Sequence, residues 1–253
     1  IVGGVHPDHD IHFYVEMIRT VKRLLPDVAV KAYTAIELAY MIDKAGMSYE
    51  EGLTLLRDAG LQAIPGGGAE IFDEELRRQI CPEKGDAQVW LSLHRTAHRL
   101  GIRSNATMLY GHVETIPQRI DHLDRLRTLQ DETGGFDAFI PLKFRRSGNR
   151  LGEGREEVPV TEDMRTLAMS RLYLDNFPHI KAYWVMYGKQ TAEMALAFGA
   201  DDMDGTIDDS TKIYSMAGAE QKPRLTVEEM KAMAASAGLR AVERDTFYHE
   251  VVR

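Results

Sequence analysis

The sequence alternates short apolar or β-branched runs with longer segments of helical periodicity, and this feature restricts the possible folds most strongly. Such alternation is typical of parallel strands whose connecting helices pack on the outside of the sheet. The predicted strands are Val28 to Tyr33, Leu61 to Ile64, Ile102 to Leu109, Phe136 to Leu142, Ile180 to Val185 and Asp201 to Asp204. The predicted helices are Ile11 to Leu25, Ser48 to Ala59, Ala87 to Leu100, Pro117 to Thr133, Thr161 to Asn176 and Gln190 to Phe198.

These βα units predict an α/β fold of the (β/α)8 TIM-type barrel kind, in an incomplete form. Ile1 and Val2 have the character of a strand end, so this end and the six predicted strands fall short of the eight that close a barrel. We expect the first strand, its helix and most of the second strand to be missing. At 253 residues, the chain has the usual length of one barrel domain. We therefore predict a single truncated domain over residues 1–253, with a C-terminal extension from about residue 220.

Composition excludes several classes of protein. The net charge of -8 comes from acidic and basic residues mixed along the chain, which argues against nucleic acid as a partner. No apolar run reaches the roughly 18 residues of a membrane span, and no signal peptide is evident, so we expect a cytoplasmic protein without a membrane partner. Cys81 is the single cysteine, which rules out an internal disulfide and a metal site built only from this chain's thiolates.

Glycines and polar residues follow several predicted strands, where parallel barrels bind their ligands. Gly3 with Gly4, and Gly66 to Gly68, form either tight turns or cradles in which the backbone approaches a ligand. A polar run on and after the strand from Ile102 forms either an internal hydrogen-bond network or a binding site for a polar ligand at the barrel mouth. This run consists of Ser104, Asn105, Thr107, Tyr110, Gly111, His112 and Glu114.

Two further clusters have simple alternatives. His94 and His98 lie four residues apart on one face of a predicted outer helix, a spacing that can bind a metal. Because no third ligand is evident, we expect a solvent-facing pair. Asp201, Asp202 and Asp204 form either a site for a cation or hydroxyl groups, or an ordinary acidic turn.

Several motifs, in order along the chain, together resemble those of one enzyme family. They are Gly-Gly-Val-His-Pro at 3–7, Lys-Ala-Tyr-Thr-Ala-Ile-Glu at 31–37, Gly-Gly-Gly-Ala-Glu-Ile-Phe at 66–72, Ser-Asn-Ala-Thr-Met-Leu-Tyr-Gly-His-Val-Glu-Thr at 104–115 and Leu-Gln-Asp-Glu-Thr-Gly-Gly-Phe at 129–136. Over nearly its whole length the chain resembles the menaquinone-pathway radical S-adenosylmethionine enzymes. Segments 180–186, 199–206 and 216–219 are most similar to the branch of this family that makes aminodeoxyfutalosine.

The resemblance implies a radical reaction. Reductive cleavage of S-adenosylmethionine would give a 5'-deoxyadenosyl radical that adds to the enol ether of 3-[(1-carboxyvinyl)oxy]benzoate, and rearrangement with loss of the carboxylate would give aminodeoxyfutalosine. The resemblance also implies a 4Fe-4S cluster and an electron donor as partner. The family's three cluster cysteines are expected upstream of Ile1, so this chain would bind no metal and would be inactive alone. The loop Phe144 to Arg150 departs from the family pattern, which affects the expected substrate contacts.

The motif match also implies roles for single residues. The turn at Gly3 and Gly4 would receive the methionine amino group, and the backbone of residues 111–114 would hold the adenine. The implied cofactor-binding residues are Gly3, Gly4, Glu70, Ser104, Asn105, Gly111 and Glu114. The implied substrate contacts are His6, Tyr110 and His112.

Other readings compete with this one. Cyclic dehypoxanthinyl futalosine synthase of the same pathway is the alternative within the family, and a cluster-free barrel that serves as a binding or interaction module is the alternative outside it. A conventional barrel aldolase or isomerase ranks last, because Lys31 and Lys143 lack an acid or base partner that the sequence reveals. Unpaired sheet edges at Ile1 and at the last strand also predict self-association.

Overall fold

The computed structural model describes residues 1–146, 148, 150–207 and 223–252. Helices and short strands alternate in these ranges, as the sequence predicts. The helices are α1 (Ile11–Leu24), α2 (Ala35–Lys44), α3 (Tyr49–Ala59), α4 (Glu74–Ile80), α5 (Ala87–Arg99), α6 (Ile116–Thr133), α7 (Val160–Tyr173), α8 (Trp184–Tyr187), α9 (Lys189–Ala195) and α10 (Val227–Ser236). The strands are β1 (Ala63–Ile64), β2 (Arg103–Tyr110), β3 (Phe136–Lys143) and β4 (His179–Ile180), and short 3-10 turns cover Pro82–Lys84, Arg150–Gly152 and Leu196–Phe198.

The four strands form one sheet in the order β1-β2-β3-β4. β1 pairs with β2 in parallel, with Ala63 opposite Arg103, and β3 pairs with β4 in parallel, with Ala138 opposite His179. Two of the predicted strands, Val28 to Tyr33 and Asp201 to Asp204, are reduced to single parallel bridges, Lys31 to Ala63 and Lys181 to Asp202. The predicted order of parallel βα units is therefore confirmed, although its outer strands are shorter than expected.

Three elements differ from the sequence prediction: α2 and α4 are absent from it, and α8 replaces part of a predicted strand. α2 was not predicted, although Thr34 and Glu37 form a capping box at its start. The predicted strand Ile180 to Val185 is wrong in its second half, where α8 begins at Trp184. The aromatic and β-branched composition of this run favours a strand, but a short buried helix gives the same apolar pattern.

The described chain divides into two compact units, and β2 and β3 contribute residues to both. The first unit comprises 1–107 and 125–137, and the second comprises 108–124 and 138–253. In the first, the buried Trp90 packs against Phe72 and Phe136 at ring distances of 5.4 and 5.9 Å. In the second, Phe139 and Phe177 pack edge to face at 6.3 Å. None of the helices in the described ranges has the length and apolar character needed to cross a membrane.

Candidate functional site

Strand β2 places neighbouring candidate residues on opposite faces. The Ser104 hydroxyl is fully buried, 2.8 Å from Nδ1 of His94 and 2.7 Å from Nε2 of His98 on α5. Successive side chains of a strand alternate between the two faces of the sheet, so Asn105 points away from α5. Ser104 is thus held by the helix layer, and the structure does not support the direct cofactor contact that its motif implied.

The prediction that His94 and His98 face solvent is wrong. His94 is fully buried, its ring lies 3.8 Å from that of Trp90, and Nδ1 of His98 lies 2.7 Å from the Thr133 hydroxyl. Burial, with a smaller contribution from the charge of Arg103, lowers the pKa of His98 to about 3. Burial also lowers the pKa of His94 well below its usual value. Trp90 and the two histidines recur every four residues, which marks this face of α5 as the one packed on the sheet.

Asn105 carries a buried polar atom without a partner. The residue is 5% exposed, and its Oδ1 accepts no hydrogen bond from any residue in the described ranges. A buried oxygen left unpaired costs about 1–3 kcal/mol, which a ligand that donates an N–H or O–H would recover. Asn105 is therefore the residue of this polar run best placed to accept a hydrogen bond from a ligand.

The glycines after β1 are explained by close packing. A Cβ at Gly66 would lie 2.6 Å from the carbonyl oxygen of Asn105, and the Gly66 carbonyl accepts a 2.6 Å hydrogen bond from Thr107. Gly68 has a left-handed φ of 87° and leaves room for Ile36 only because it lacks a side chain. This geometry favours the tight turn over the ligand cradle.

Glu70 follows this turn and is already paired. Its carboxylate lies 2.6 Å from the Lys84 ammonium, and its backbone has a left-handed φ of 48°. Burial opposes the charge of Lys84, but attraction to Glu70 outweighs it and raises the pKa of Lys84. A direct cofactor contact by Glu70 stays a prediction, and it would have to compete with Lys84.

The turn at Gly3 and Gly4 encloses a carboxylate from the protein itself. Both backbone N–H groups donate to Oε1 of Glu37, at 2.8 and 2.7 Å. Further along, the His6 ring is exposed and stacks on His9 at 4.3 Å. The implied roles of Gly3, Gly4 and His6 stay predictions, but the N–H groups of the two glycines are already used.

In the second unit, Glu114 folds back on the turn that contains it. Its buried carboxylate accepts the backbone N–H groups of Gly111 and His112 at 2.5 and 2.9 Å, and binds the Arg119 guanidinium at 2.7 Å. Gly111 has a left-handed φ of 85°, and a Cβ there would lie 2.9 Å from Val158. Glu114 therefore shapes the turn, and only the turn's backbone is left to hold a ligand.

The His112 side chain is enclosed by the same turn. Its Nε2 lies 3.1 Å from the Leu109 carbonyl oxygen, and its Nδ1 lies 3.3 Å from Oε2 of Glu114. The ring is completely buried in this arrangement. The predicted substrate contact of His112 gains no support from this geometry.

Tyr110 belongs to a buried polar network that the sequence did not reveal. Its hydroxyl donates to Asp163 at 2.7 Å and lies 3.2 Å from the Tyr187 hydroxyl, while the Lys143 ammonium donates to Asp163 at 2.8 Å. Burial is the main cause that raises the pKa values of Tyr110, Tyr187 and Asp163. Asp163 is thus an acidic partner of Lys143 that the sequence does not reveal. Asp163 lies in the first turn of α7, where an acidic residue also suits the helix dipole, so the sequence alone does not indicate this pairing.

The acidic turn after the last bridge is neutralised by the chain itself. Asp202 is buried and accepts hydrogen bonds from Arg244 at 2.7 Å and from the Tyr248 hydroxyl at 2.6 Å. The Lys181 ammonium lies 2.8 Å from Asp204 and 3.5 Å from Asp202. Burial opposes ionisation of Asp202, but Lys181 and Arg244 outweigh it and lower its pKa. These contacts favour the acidic turn over a cation site.

The part of the chain that the structure describes offers no metal centre. It contains no group of three or more His, Cys, Asp or Glu side chains that could hold a metal ion. Cys81 is buried, and burial raises the pKa of its thiol. Asp201, the remaining acid of the turn, pairs with Arg171 and His179, each at 2.8 Å. The residues described therefore do not fit an iron–sulfur cluster.

A small pocket with a cavity volume of about 80 Å³ lies beyond β4 in the second unit. The Trp184 indole and the Tyr187 hydroxyl each donate to a backbone carbonyl, at 3.0 and 2.9 Å, which fixes both rings. Arg145 and Lys189 add two cationic groups, each paired with a glutamate. The lining residues are Arg145, Trp184, Val185, Met186, Tyr187, Gly188, Lys189 and Pro223.

Some residues singled out in the sequence lie outside the described ranges. These are Ser147 and Asn149 of the loop after β3, and the segment 216–219.

Comparison with known sequences supports the resemblance that the motifs indicated. The family description "CofH/MqnC C-terminal region" matches residues 133–251. The chain is 48% identical over 254 residues to the aminodeoxyfutalosine synthase of Thermus thermophilus, a match that covers 99% of this chain and 68% of the relative. It is 42% identical over 262 residues to the enzyme of that name from Streptomyces coelicolor, covering 100% of this chain and 67% of the relative.

Relatives with another named activity are also similar. The 5-amino-6-(D-ribitylamino)uracil–L-tyrosine 4-hydroxyphenyl transferase of Methanoculleus marisnigri is 42% identical over 250 residues, covering 98% of this chain and 68% of the relative. Among solved structures, methylornithine synthase superposes with a TM-score of 0.63 at 16% identity, over 92% of this chain and 64% of that protein. This structural likeness, with the parallel βα order, confirms the predicted TIM-type barrel class.

Proposed function

Because this chain belongs to the aminodeoxyfutalosine synthase family, we propose that it forms the greater part of a radical S-adenosylmethionine enzyme that makes aminodeoxyfutalosine. The proposed substrates are S-adenosylmethionine and 3-[(1-carboxyvinyl)oxy]benzoate. The observation that carries the proposal is the 48% identity to a relative of that name over 99% of this chain. Identity at this level over nearly the whole chain favours this activity over the two alternatives, cyclic dehypoxanthinyl futalosine synthase and a cluster-free binding module.

The residues of the first unit suit S-adenosylmethionine in two respects. The buried Oδ1 of Asn105 has no partner among the described residues and would accept a ligand's N–H or O–H. The turn at Gly3 and Gly4 leaves backbone carbonyl oxygens for an ammonium group. When bound and reduced, this cofactor supplies the 5'-deoxyadenosyl radical, while the protein binds, orients and excludes water. The ligands of the 4Fe-4S cluster are proposed to lie outside the residues described.

In the second unit, we assign the backbone of residues 111–114 to the cofactor and the pocket beside Trp184 to the aromatic substrate. The turn of residues 111–114, held by Glu114, would present backbone groups to the adenine. The pocket beside Trp184 and Tyr187 combines aromatic walls with the cations Arg145 and Lys189, which suits an aromatic substrate that carries carboxylates. Because the cavity measures only about 80 Å³, we assign to it a part of 3-[(1-carboxyvinyl)oxy]benzoate rather than the whole molecule. Tyr110 is assigned to the support of this pocket through Tyr187, and His112 to the support of the turn.

The setting of the enzyme is also part of the proposal. A reductant protein or small-molecule electron donor would serve the cluster, and the cytoplasm is the expected compartment. Self-association through exposed sheet edges is retained as a proposal, which light scattering on the purified protein tests directly. A clean monomer at all concentrations would contradict it.

The decisive experiment compares two substrate sets under anaerobic conditions. The full-length protein, reconstituted with iron and sulfide and supplied with a reductant and S-adenosylmethionine, should convert 3-[(1-carboxyvinyl)oxy]benzoate to aminodeoxyfutalosine, as followed by mass spectrometry. A second reaction offers L-tyrosine and 5-amino-6-(D-ribitylamino)uracil, the compounds named for the transferase relatives. Turnover of the second set alone would overturn the proposal in favour of that activity, and turnover of neither set would reject both.

A further inference from the structure

Glu37 makes contacts beyond those needed to cap its helix. Oε2 accepts the backbone N–H and the hydroxyl of Thr34, both at 2.7 Å, which completes the capping box of α2. Oε1 accepts the N–H groups of Gly3 and Gly4, more than thirty residues away, at 2.8 and 2.7 Å. One buried carboxylate thus ties the start of a helix to a distant turn.

Among the described residues, the capping boxes of α3 and α10 also use a glutamate and serve as internal comparisons. In α3, Oε2 of Glu51 accepts both Ser48 donors and Oε1 accepts no backbone N–H from the described residues. In α10, Oε2 of Glu229 accepts the Thr226 N–H, and Oε1 pairs with the exposed Lys189. Capping therefore needs only one carboxylate oxygen. The second oxygen of Glu37 has a task that the cap does not explain.

That second task is to orient two peptide groups. Each peptide is trans and planar, so its C=O points opposite to its N–H. With the N–H groups of Gly3 and Gly4 directed at Glu37, the carbonyl oxygens of Val2 and Gly3 point away from it. Neither oxygen accepts a hydrogen bond from any residue in the described ranges. Gly4 permits this arrangement through its left-handed φ of 75°.

A pair of fixed, unpaired carbonyl oxygens beside a buried carboxylate favours a cation with several N–H donors. A primary ammonium group has three such donors and no acceptor, so it can bind both oxygens at once. The negative charge of Glu37 adds electrostatic attraction, although the carboxylate itself is occupied by the four protein donors.

We propose that Glu37 is a positioning residue that holds the Gly3–Gly4 turn so that its carbonyl oxygens receive the ammonium group of the amino-acid part of S-adenosylmethionine. This inference rests on the proposed function and adds a residue to it. Glu37 acts through the turn and does not touch the ligand. Its effect is therefore confined to ligands that carry the ammonium group.

The test measures the affinity of the cluster-reconstituted full-length protein for two ligands by calorimetry. S-adenosylmethionine carries the ammonium group, and 5'-methylthioadenosine lacks the amino-acid part altogether. Glu37→Ala should bind S-adenosylmethionine about tenfold more weakly, because the ligand's ammonium group loses the fixed carbonyl oxygens of the turn. The same variant should bind 5'-methylthioadenosine as the wild type does. Glu37→Gln keeps an acceptor for the glycine N–H groups, so its affinity for S-adenosylmethionine should lie between those of the wild type and Glu37→Ala.

Thr34→Val is the matched control. It removes the capping hydroxyl but leaves the contacts between Glu37 and the glycines, so it should lower stability without changing the affinity ratio of the two ligands. Hydrogen exchange should show faster exchange of the Gly3 and Gly4 amides in Glu37→Ala and unchanged exchange in Thr34→Val. Equal loss of affinity for both ligands, or no loss in Glu37→Ala, would overturn the inference. Failure of the wild type to bind either ligand would instead reject the proposed function.

Discussion

At the scale of single residues, Ser104 and Asn105 show how one strand divides structural and ligand-binding tasks. Both are polar neighbours in the same motif, and both are buried. Ser104 bridges two imidazoles that belong to the helix layer, whereas the Asn105 Oδ1 has no partner among the described residues. Their different surroundings lead to opposite expectations for substitution.

Ser104→Ala should lower stability and leave ligand affinity unchanged, because it removes the hydroxyl that contacts Nδ1 of His94 and Nε2 of His98. A loss of about 1–3 kcal/mol in the free energy of unfolding is expected. Asn105→Ala should change stability little, since it removes an unpaired buried oxygen, but should weaken S-adenosylmethionine binding about tenfold. Urea denaturation and calorimetry on both variants provide the comparison. If Ser104→Ala were the one to lose affinity, the assignment of faces on β2 would be incorrect.

At the scale of elements, Asp163 joins the start of α7 to the ends of two strands. It accepts hydrogen bonds from Tyr110 at the end of β2 and from Lys143 at the end of β3. The Lys143 side chain is only 8% exposed and that of Asp163 is fully buried, so the ion pair is screened little by water. Such a pair fixes how the helix begins relative to the strands.

Asp163→Asn should destabilise the protein by about 3–5 kcal/mol, because it leaves the Lys143 charge buried without a carboxylate. Lys143→Met removes the charge and keeps much of the side-chain volume. The double variant Lys143→Met/Asp163→Asn should therefore lose much less than the sum of the two single losses. A double-mutant cycle in urea measures this coupling. Strict additivity would mean that the two side chains do not interact in solution.

α2 shows what the sequence pattern missed at this scale. Its Thr34–Glu37 capping box has the same spacing as the Ser48–Glu51 box at the start of α3, a helix that the sequence predicts. The strand predicted from Val28 to Tyr33 ends directly before Thr34, and Glu37 is the last residue of the motif at 31–37. The capping box is therefore a local signal for this helix that the sequence itself contains.

At the scale of the whole molecule, the buried histidines of α5 make stability depend on pH. In the unfolded chain both imidazoles titrate near 6.5, whereas burial lowers the folded pKa of His98 to about 3 and that of His94 well below 6.5. Below pH 6.5 the unfolded state therefore binds more protons than the folded state. Where the unfolded state binds more protons, the free energy of unfolding decreases as the pH is lowered. The contribution of the two histidines to stability is therefore complete above pH 6.5 and becomes progressively smaller towards pH 3.

Chemical denaturation between pH 6.5 and 5, above the range where most carboxylates titrate, should show this loss. The expected slope is roughly 1.4 kcal/mol per pH unit for each imidazole once its unfolded form is protonated. His98→Gln should flatten the slope by about the share of one imidazole. A slope that did not differ between the wild type and His98→Gln would show that His98 is not buried in its neutral form.

The sequence by itself determined the βα order, most helix boundaries and the family, because periodicity, capping residues and contiguous motifs are local properties of the chain. The extent of one domain over residues 1–253 stays a prediction. Only the tertiary structure decided which polar residues meet. Glu37 binds Gly3 and Gly4, and Lys143 binds Asp163, across separations that no local pattern encodes. Packing also decided that Ser104 serves the helix layer, because the face a strand residue occupies depends on the register of its neighbours.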